Sequence, residues 1–364
     1  MSDSRIATDR ILSVQSHVAF GYVGGKAAVF PLQCMGYEVD VVNSVNFSNH
    51  SGYGRSGGSK ATANDLTEMF ESMEANGLLN PSRLLTGYIP GAEALNAVKE
   101  FAQKIKDKKP GLIYLMDPVI GDGGQLYVAP DVVPVYRSML PLATIITPNY
   151  FEVETLTGIK LEDIDSLRRA LTILHKEYRV PNVVISSMPL QEWLIDKLPN
   201  PIRPTSNSDT DSGYLLCLCS STVNLAESSG NSDVHAQFVP LVPGYFSGVG
   251  DLFSALLIGH FENQDLLPSS SQEPPQTPLS YASSMALTKT HAVLTSTYRH
   301  TLTLPEEDRE QTDTEKDAAD PARRRRRMRG RELRLVQPEG QSIIRGADNV
   351  DVRKMDPWLD FWTV

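Results

Sequence analysis

Between residues 11 and 187, short apolar runs rich in β-branched residues alternate with stretches in which apolar positions recur every three or four residues. The short runs read as strands and the periodic stretches as amphipathic helices. Strands are predicted at ILSVQ (11–15), EVDVV (38–42), SRLLT (82–86), LIYLM (112–116), ATIIT (143–147) and NVVIS (182–186). A helix is predicted over 65–76, where Asp65 and Glu68 give a capping-box-like start, Leu66, Met69, Phe70 and Met73 share one face, and Gly77 stands at the C-cap. Leu95, Val98, Ala102 and Ile105 repeat the stripe, as do Leu167, Ala170, Leu171 and Leu174. Such alternation predicts an α/β fold: a central, mostly parallel sheet with helices on both faces.

After residue 187 the pattern loosens. Pro and Ser dominate 199–212 and Ser and Asn dominate 220–233, which predicts two loops flanking one strand, GYLLCLC. A strand at FVPLV (238–242) then leads through the glycine-rich PGYFSGVGD into an apolar helix over 251–262. PSSSQEPPQTP (268–278) reads as a loop before a helix at about 279–299. Segment 305–320 carries eight acids against Arg309 and Lys316, and 323–331 carries seven arginines. Adjacent blocks of opposite sign predict a solvated insertion over about 305–331, after which ELRLVQ (332–337) alternates like a strand returning to a sheet edge. No internal repeat interrupts this order. The chain, 1–364, therefore reads as a single α/β domain with low-complexity loops at about 199–237 and 268–278.

Composition narrows the function classes. With 34 basic and 44 acidic residues the net charge is −10, which argues against a surface built to neutralise nucleic acid. Cys34, Cys217 and Cys219 show no Cys-x-x-Cys spacing, so neither a disulfide framework nor a zinc site is expected, and reduced thiols fit a cytoplasmic protein. The N-terminal MSDSRIATDR has no apolar core of a secretory signal, and no apolar run is long enough to span a bilayer. No membrane partner is expected.

Three glycine-rich segments compete as phosphate sites. In GYVGGKAA (21–28) three residues separate Gly21 from Gly25 where a P-loop needs four, and Ala27 follows Lys26 where Ser or Thr is required. GYGRSG (52–57) matches G-x-G-x-x-G but stands about ten residues from the preceding strand, so the tight strand-to-helix turn that holds a pyrophosphate is missing. SGVGD (247–251) directly precedes an apolar helix. There Gly248 and Gly250 let backbone N–H groups converge at a helix N-terminus, and Asp251 in the first turn is placed to accept a proton from an attacking hydroxyl. The plain alternative is an N-terminal Asp after a glycine loop. Asp117 and Asp122 in MDPVIGDGG and Asn149 and Glu152 in TPNYFEVE follow two further strands, at the sheet end where open α/β folds bind ligands. Their hard oxygens suit Mg²⁺ and phosphate chemistry, although each could also be a helix cap.

SVQSHVAFGYVG (13–24), VNSVNFSNHSGYG (42–54), LTGYIPG (85–91), DPVIGD (117–122), ITPNYFEVETLTG (146–158) and FSGVGDLFSALL (246–257) together resemble the pyridoxal kinases, the vitamin B6 kinases of the ribokinase superfamily. The resemblance runs in order from about residue 11 to 300, with ELRLVQ matching the family's C-terminal strand. It implies transfer of the γ-phosphoryl group of ATP to the 5′-hydroxymethyl group of pyridoxal, and of pyridoxine and pyridoxamine, by a homodimer using Mg²⁺ and a monovalent cation, K⁺. It further implies that Asp251 is the base, with the amides of Gly248, Val249 and Gly250 holding developing charge. By the same resemblance Ser16 contacts the pyridine ring and Ser51 its substituents, while Gly21, Val23 and Tyr88 shape the pocket. Asp117, Asp122 and Glu152, with Asn149, organise the cations and phosphates, and Thr147, Ser186 and Ser187 line the nucleotide side. Ser51 and Val249 stand where relatives carry Thr, and Thr or Ala, which leaves a hydroxyl and a backbone donor in place. For His17 and His50, substrate stacking and hydrogen-bonded packing both stay open, and Arg323 to Arg331 also reads as a nuclear targeting patch. The rivals are a hydroxymethylpyrimidine kinase of the same superfamily, disfavoured by QSHV and FSNH, and a B6-binding sensor without turnover, disfavoured by the intact G-x-G-D.

Overall fold

The computed structural model describes residues 9–204, 213–223, 231–262, 276–309, 311–346 and 350–363. Parts of the loops expected at 199–212, 220–233 and 268–278 lie outside them, as do residues 1–8. The strands are β1 (Arg10–Val18), β2 (Glu38–Phe47), β3 (Gly58–Lys60), β4 (Arg83–Thr86), β5 (Ile113–Met116), β6 (Gly121–Asp122), β7 (Gln125–Leu126), β8 (Ile145–Ile146), β9 (Asn182–Pro189), β10 (Tyr214–Ser221), β11 (Asp233–Pro240) and β12 (Asp356–Pro357). The α-helices are α1 (Gly25–Cys34), α2 (Ala63–Ala75), α3 (Ala92–Lys108), α4 (Val132–Met139), α5 (Tyr150–Thr157), α6 (Ile164–Thr172), α7 (Glu192–Ile195), α8 (Val249–His260), α9 (Pro278–Thr301), α10 (Thr314–Ala319), α11 (Pro321–Gly330) and α12 (Pro338–Arg345).

Ten strands form one sheet in the order β12-β11-β10-β9-β8-β5-β4-β1-β2-β3. From β2 to β9 every neighbouring pair is parallel, while β10 to β12 extend one edge antiparallel and β3 closes the other. Both faces of β1, β4, β5, β8 and β9 are largely buried, and alternate residues supply two cores. Leu12, Val14, Leu84, Tyr114, Met116, Ile146 and Val183 point to the side covered by α2 to α6. Ile11, Leu85, Leu115, Ile145, Val184, Cys217 and Cys219 point to the side covered by α1, α8, α9 and α12. Period-two alternation across a doubly covered sheet explains why these segments read as continuous apolar runs. It also disposes of two thiols, since burial pushes Cys219 up to about 12 and Cys217 well above its ordinary value.

β1 has β2 on one side and β4 on the other, so the chain reverses its direction of travel across the sheet there. Such a reversal splays the loops leaving the carboxyl ends of the strands and opens a crevice between them. Helix α8 enters this crevice by its N-terminus and is held at its other end. The buried Arg83 donates from Nη1 to the carbonyls of Ile258 (2.7 Å) and Phe261 (2.5 Å), and Tyr37 Oη donates to Gly259 O (2.6 Å).

Several expectations need correction. The box capping α2 is Thr62 with Asp65, and Glu68 instead accepts a bond from Asn64. β11 begins at Asp233, not at 238, and pairs with the whole of β10, because Val234 and Ala236 alternate inward between polar neighbours that resembled a loop. ELRLVQ makes no strand. Leu333 and Leu335 are buried in the α8–α9 core by a tight turn, with Leu335 N donating to Leu333 O, and the edge position belongs to β12. The charged segment is not a solvated insertion, for the two blocks fold against each other as α10 and α11. Arg323 and Arg327, 8% and 3% exposed, both bind the Asp317 carboxylate, and Met328 is buried beside them. Arg323, Arg327 and Arg331 recur at helical spacing and are all buried, so one face of the arginine run turns inward.

Arg83→Met should leave two buried carbonyls without their donor and lower stability by about 1–3 kcal/mol. A urea titration would show this as a lower midpoint, and an unchanged midpoint would show that α8 needs no tether at that end.

Candidate active site

The loop leaving β1 and the first turn of α8 lock together. The β1–β2 register shifts between Gln15 and Ser16, where β2 carries the extra residue Ser44, and residues 19–24 then pass across the N-terminus of α8. Gly24 N donates to Asp251 Oδ2 at 2.7 Å. Gly248 takes a left-handed conformation (φ 80°), and a Cβ there would stand 2.0 Å from Tyr22 O. Gly24 (φ 54°) is packed as tightly, since a Cβ would stand 2.2 Å from Ser16 Oγ. Only glycine fits at these two positions. Gly250 is different: nothing lies within 4 Å of where its Cβ would be, so the open face of the first turn is free for a ligand. The first N–H groups of α8, those of Val249 and Gly250 among them, have no partner within the helix, and the dipole there favours negative charge.

Asp117 lies within electrostatic reach of two other carboxyl groups, Asp251 in this turn and Glu152 in α5. Burial pushes Asp251 up, partly offset by the Gly24 amide. Asp117, 7% exposed at the end of β5, is pushed up to about 7 by burial and by the charge of Asp251, against the hydrogen bond from Ser254. That bond, Ser254 Oγ to Asp117 Oδ2, is 2.9 Å, and Ser254 also pairs with Thr147 Oγ1 at 2.9 Å. Burial first and the charge of Asp117 second raise Glu152 well above its usual range, although three backbone amides oppose the rise. Among the described residues none of these three carboxylates is ion-paired.

Asn149 and Glu152 are a capping box for α5, as the plain reading of that motif allows. Their side chains also reach across to β6. Glu152 Oε1 accepts from Ile120 N (2.9 Å) and Gly121 N (3.3 Å), Oε2 accepts from Asn149 N (2.9 Å), and Asn149 Nδ2 donates to Gly121 O (2.8 Å). The N-x-x-E motif thus staples the loop after β5 to the loop after β8. Ser186 joins it through its amide to Pro148 O (3.0 Å) and is half-buried with Ser187 at the same sheet end.

The expected metal trio is not assembled. Asp122 is exposed in the β6–β7 hairpin with Oδ1 on its neighbour Gly123 N, and both Glu152 oxygens are taken by amides. Among the described residues no three His, Cys, Asp or Glu side chains come together as a metal-holding group. Thr147 likewise spends its hydroxyl on Ser254 and lies in the network beneath the site, 3% exposed. Of the residues expected at the vitamer, Ser16, Val23 and Tyr88 are half-buried, Ser44 Oγ holds Tyr88 O at 2.5 Å, and Ser51 is exposed in a 3-10 turn. His50 is packed, with Nδ1 accepting from Gly52 N and Nε2 on Glu332.

Sequence reasoning missed Gly24, Ser254 and Glu332. Ser254 had a signal, standing one turn after Asp251 on the same helix face, whereas Glu332 lies 282 residues from His50 and had none.

An open α/β sheet with a glycine anion hole, a carboxylate in the first turn of the helix and buried acids at neighbouring strand ends defines a small-molecule phosphotransferase of ribokinase-like fold. A family model described as phosphomethylpyrimidine kinase matches residues 53–200, which excludes QSHV and FSNH. Curated relatives cover more. The chain is 39% identical to pyridoxal kinase of Arabidopsis thaliana over 253 residues, 69% of this chain and 74% of that one. It is 38% identical to pyridoxal kinase of Homo sapiens over 254 residues, 68% of this chain and 76% of that one. The solved pyridoxal kinase of Leishmania donovani with ADP and pyridoxamine superposes with a TM-score of 0.72 at 28% identity, covering 96% of this chain and 99% of the other. The chain belongs to the pyridoxal kinase family.

Asp117 ionises at higher pH folded than unfolded, so the folded state holds its proton more tightly. Stability without ligands should therefore fall as pH rises from about 4 to about 7. Asp117→Asn should flatten that fall and raise the melting temperature at alkaline pH by roughly 2 °C or more, about 2–4 °C being worth 1 kcal/mol in a large domain. Melting curves across pH check it, and parallel profiles for both proteins would contradict the assignment. Glu152→Ala should act oppositely, leaving three amides unpaired and lowering the melting temperature at every pH.

Proposed function

We propose that this site transfers the γ-phosphoryl group of ATP to the 5′-hydroxymethyl group of pyridoxal, with Asp251 as general base. The observation that carries the roles is the Gly24–Asp251 bond. It fixes one carboxylate oxygen and leaves the other to face a hydroxyl in the crevice, beside the free amides of α8. Burial makes Asp251 a better proton acceptor than an exposed carboxylate, and the amides of Gly248, Val249 and Gly250 stabilise charge on the transferred group. The vitamer lies against Ser16, Val23, Ser51 and Tyr88, and the nucleotide against the Asn149, Ser186 and Ser187 side. Related structures hold ADP with pyridoxamine and ADP with pyridoxine, which supports both as further acceptors and ATP as co-substrate.

The donor chemistry beneath the anion hole fits a cation. The buried Asp117 is raised by burial and by the charge of the half-buried Asp251, and neither carboxylate has an ion-pair partner among the described residues. Asp117 would hold Mg²⁺ together with the phosphates, and Glu152 would shape the loop around it. Bound there, Mg²⁺ neutralises phosphate charge during transfer. K⁺ as the monovalent ion, a homodimer and a cytoplasmic setting belong to the same proposal. Among the described residues no helix is long and apolar enough to cross a membrane.

Asp251→Asn should keep the fold and the Gly24 bond but lower kcat about 10²–10⁴-fold, the usual worth of a general base. Steady-state assays at saturating ATP and pyridoxal read it directly. Turnover within a few-fold of wild type would reduce Asp251 to a helix-terminal residue.

A further inference from the structure

The chain leaves the arginine-rich helix α11 at Arg331 and places the next side chain, Glu332, between two loops far away in sequence. Its carboxylate is 12% exposed and takes three hydrogen bonds. Oε2 accepts from Tyr22 N (2.8 Å), and Oε1 from Tyr53 Oη (2.7 Å) and His50 Nε2 (2.9 Å). Since His50 Nδ1 accepts from Gly52 N, the ring proton sits on Nε2 and points at Glu332. All three partners therefore donate, and only an acceptor without N–H or O–H groups satisfies them together. Burial pushes the Glu332 carboxyl up, but the bonds from His50, Tyr53 and Tyr22 outweigh it and hold the group below its usual range. Gly21 makes room, because a Cβ there would stand 2.7 Å from the carboxylate oxygens.

Those loops form the vitamer side of the proposed site. The Tyr22 carbonyl rests on Gly248 of the anion hole, and Gly24 two residues on holds Asp251, so fixing the Tyr22 amide fixes the loop that carries both contacts. Ser51 lies between His50 and Tyr53. From the other side Arg324 of α11 donates to Gly52 O (2.7 Å) and Ser51 O (3.2 Å), and Met328 packs on Gly52. We infer that Glu332 is a positioning residue for phosphoryl transfer, clamping the 20–24 and 50–53 loops at the geometry the vitamer needs. This rests on the vitamer reading of the site given above.

Glu332→Gln keeps the size but sets an NH₂ group against donors. The expected result is a kcat/KM for pyridoxal about tenfold lower or more, with KM for ATP within twofold of wild type. Glu332→Asp, which still only accepts, should recover part of the loss, and Tyr53→Phe, which removes one donor, should show a smaller loss confined to pyridoxal. An unchanged pyridoxal kcat/KM in Glu332→Gln would overturn the inference. Equal loss for both substrates with a lower melting temperature would do the same, by making the role structural alone. Hydrogen exchange of the ligand-free protein separates this from the functional reading. Faster exchange at Tyr22 N in Glu332→Gln supports the clamp even if wild type proves not to phosphorylate pyridoxal, and unchanged exchange there refutes it.

Discussion

One hydrogen bond joins the two halves of the site: the amide of Gly24, at the end of the loop leaving the first strand, donates to the Asp251 carboxylate in the first turn of α8. In the proposed reading the loop belongs to the vitamer side and the helix to the phosphate side, so this bond would set the distance between acceptor hydroxyl and transferred phosphoryl. Its geometry is fixed by contacts that leave no slack. Gly24 seats on Ser16, Gly248 on the Tyr22 carbonyl, and Arg83 with Tyr37 holds the far end of α8. If Asp251 is the base, as proposed, anchoring it through one oxygen supplies the preorganisation that transfer chemistry requires.

The same site is expensive for the fold. Asp117 and Glu152 are buried and Asp251 half-buried, and removal from water disfavours the charged form of each. Backbone amides and Ser254 offset part of the cost without removing it, and a bound cation would offset more. This is the pattern of a site that trades stability for function, and it places the weak point of the fold at the carboxyl ends of β5 and β8.

The sheet was legible because most of its parallel strands are largely buried on both faces. β1, β2, β4, β5, β8 and β9 all lie within a few residues of the apolar runs, and G-x-G-D stands where a glycine loop meets an apolar helix. What escaped has a physical reason in each case. β11 hides its inward Val234 and Ala236 between Asp233, His235 and Gln237, and ELRLVQ alternates because Leu333 and Leu335 plug a core without pairing. The arginine run looked solvated because a count of charges ignores which face of a helix they occupy, and Arg323 and Arg327 find Asp317 only once the segment folds back. Glu332 was invisible for the same reason, since its partners lie near the other end of the chain. Asp122 and Glu152 show the converse, acids of the right type whose oxygens are committed to backbone amides.

In the proposed function the site receives a pyridine carrying a 5′-hydroxymethyl group. The most direct measurement is ATP-dependent phosphorylation of pyridoxal, pyridoxine, pyridoxamine and hydroxymethylpyrimidine by the full chain under one condition, compared as kcat/KM. The B6 vitamers should turn over, with pyridoxal at least about tenfold ahead of hydroxymethylpyrimidine, about 1.4 kcal/mol of transition-state discrimination. Equal or preferred use of hydroxymethylpyrimidine, or no vitamer turnover by folded protein, would contradict that function.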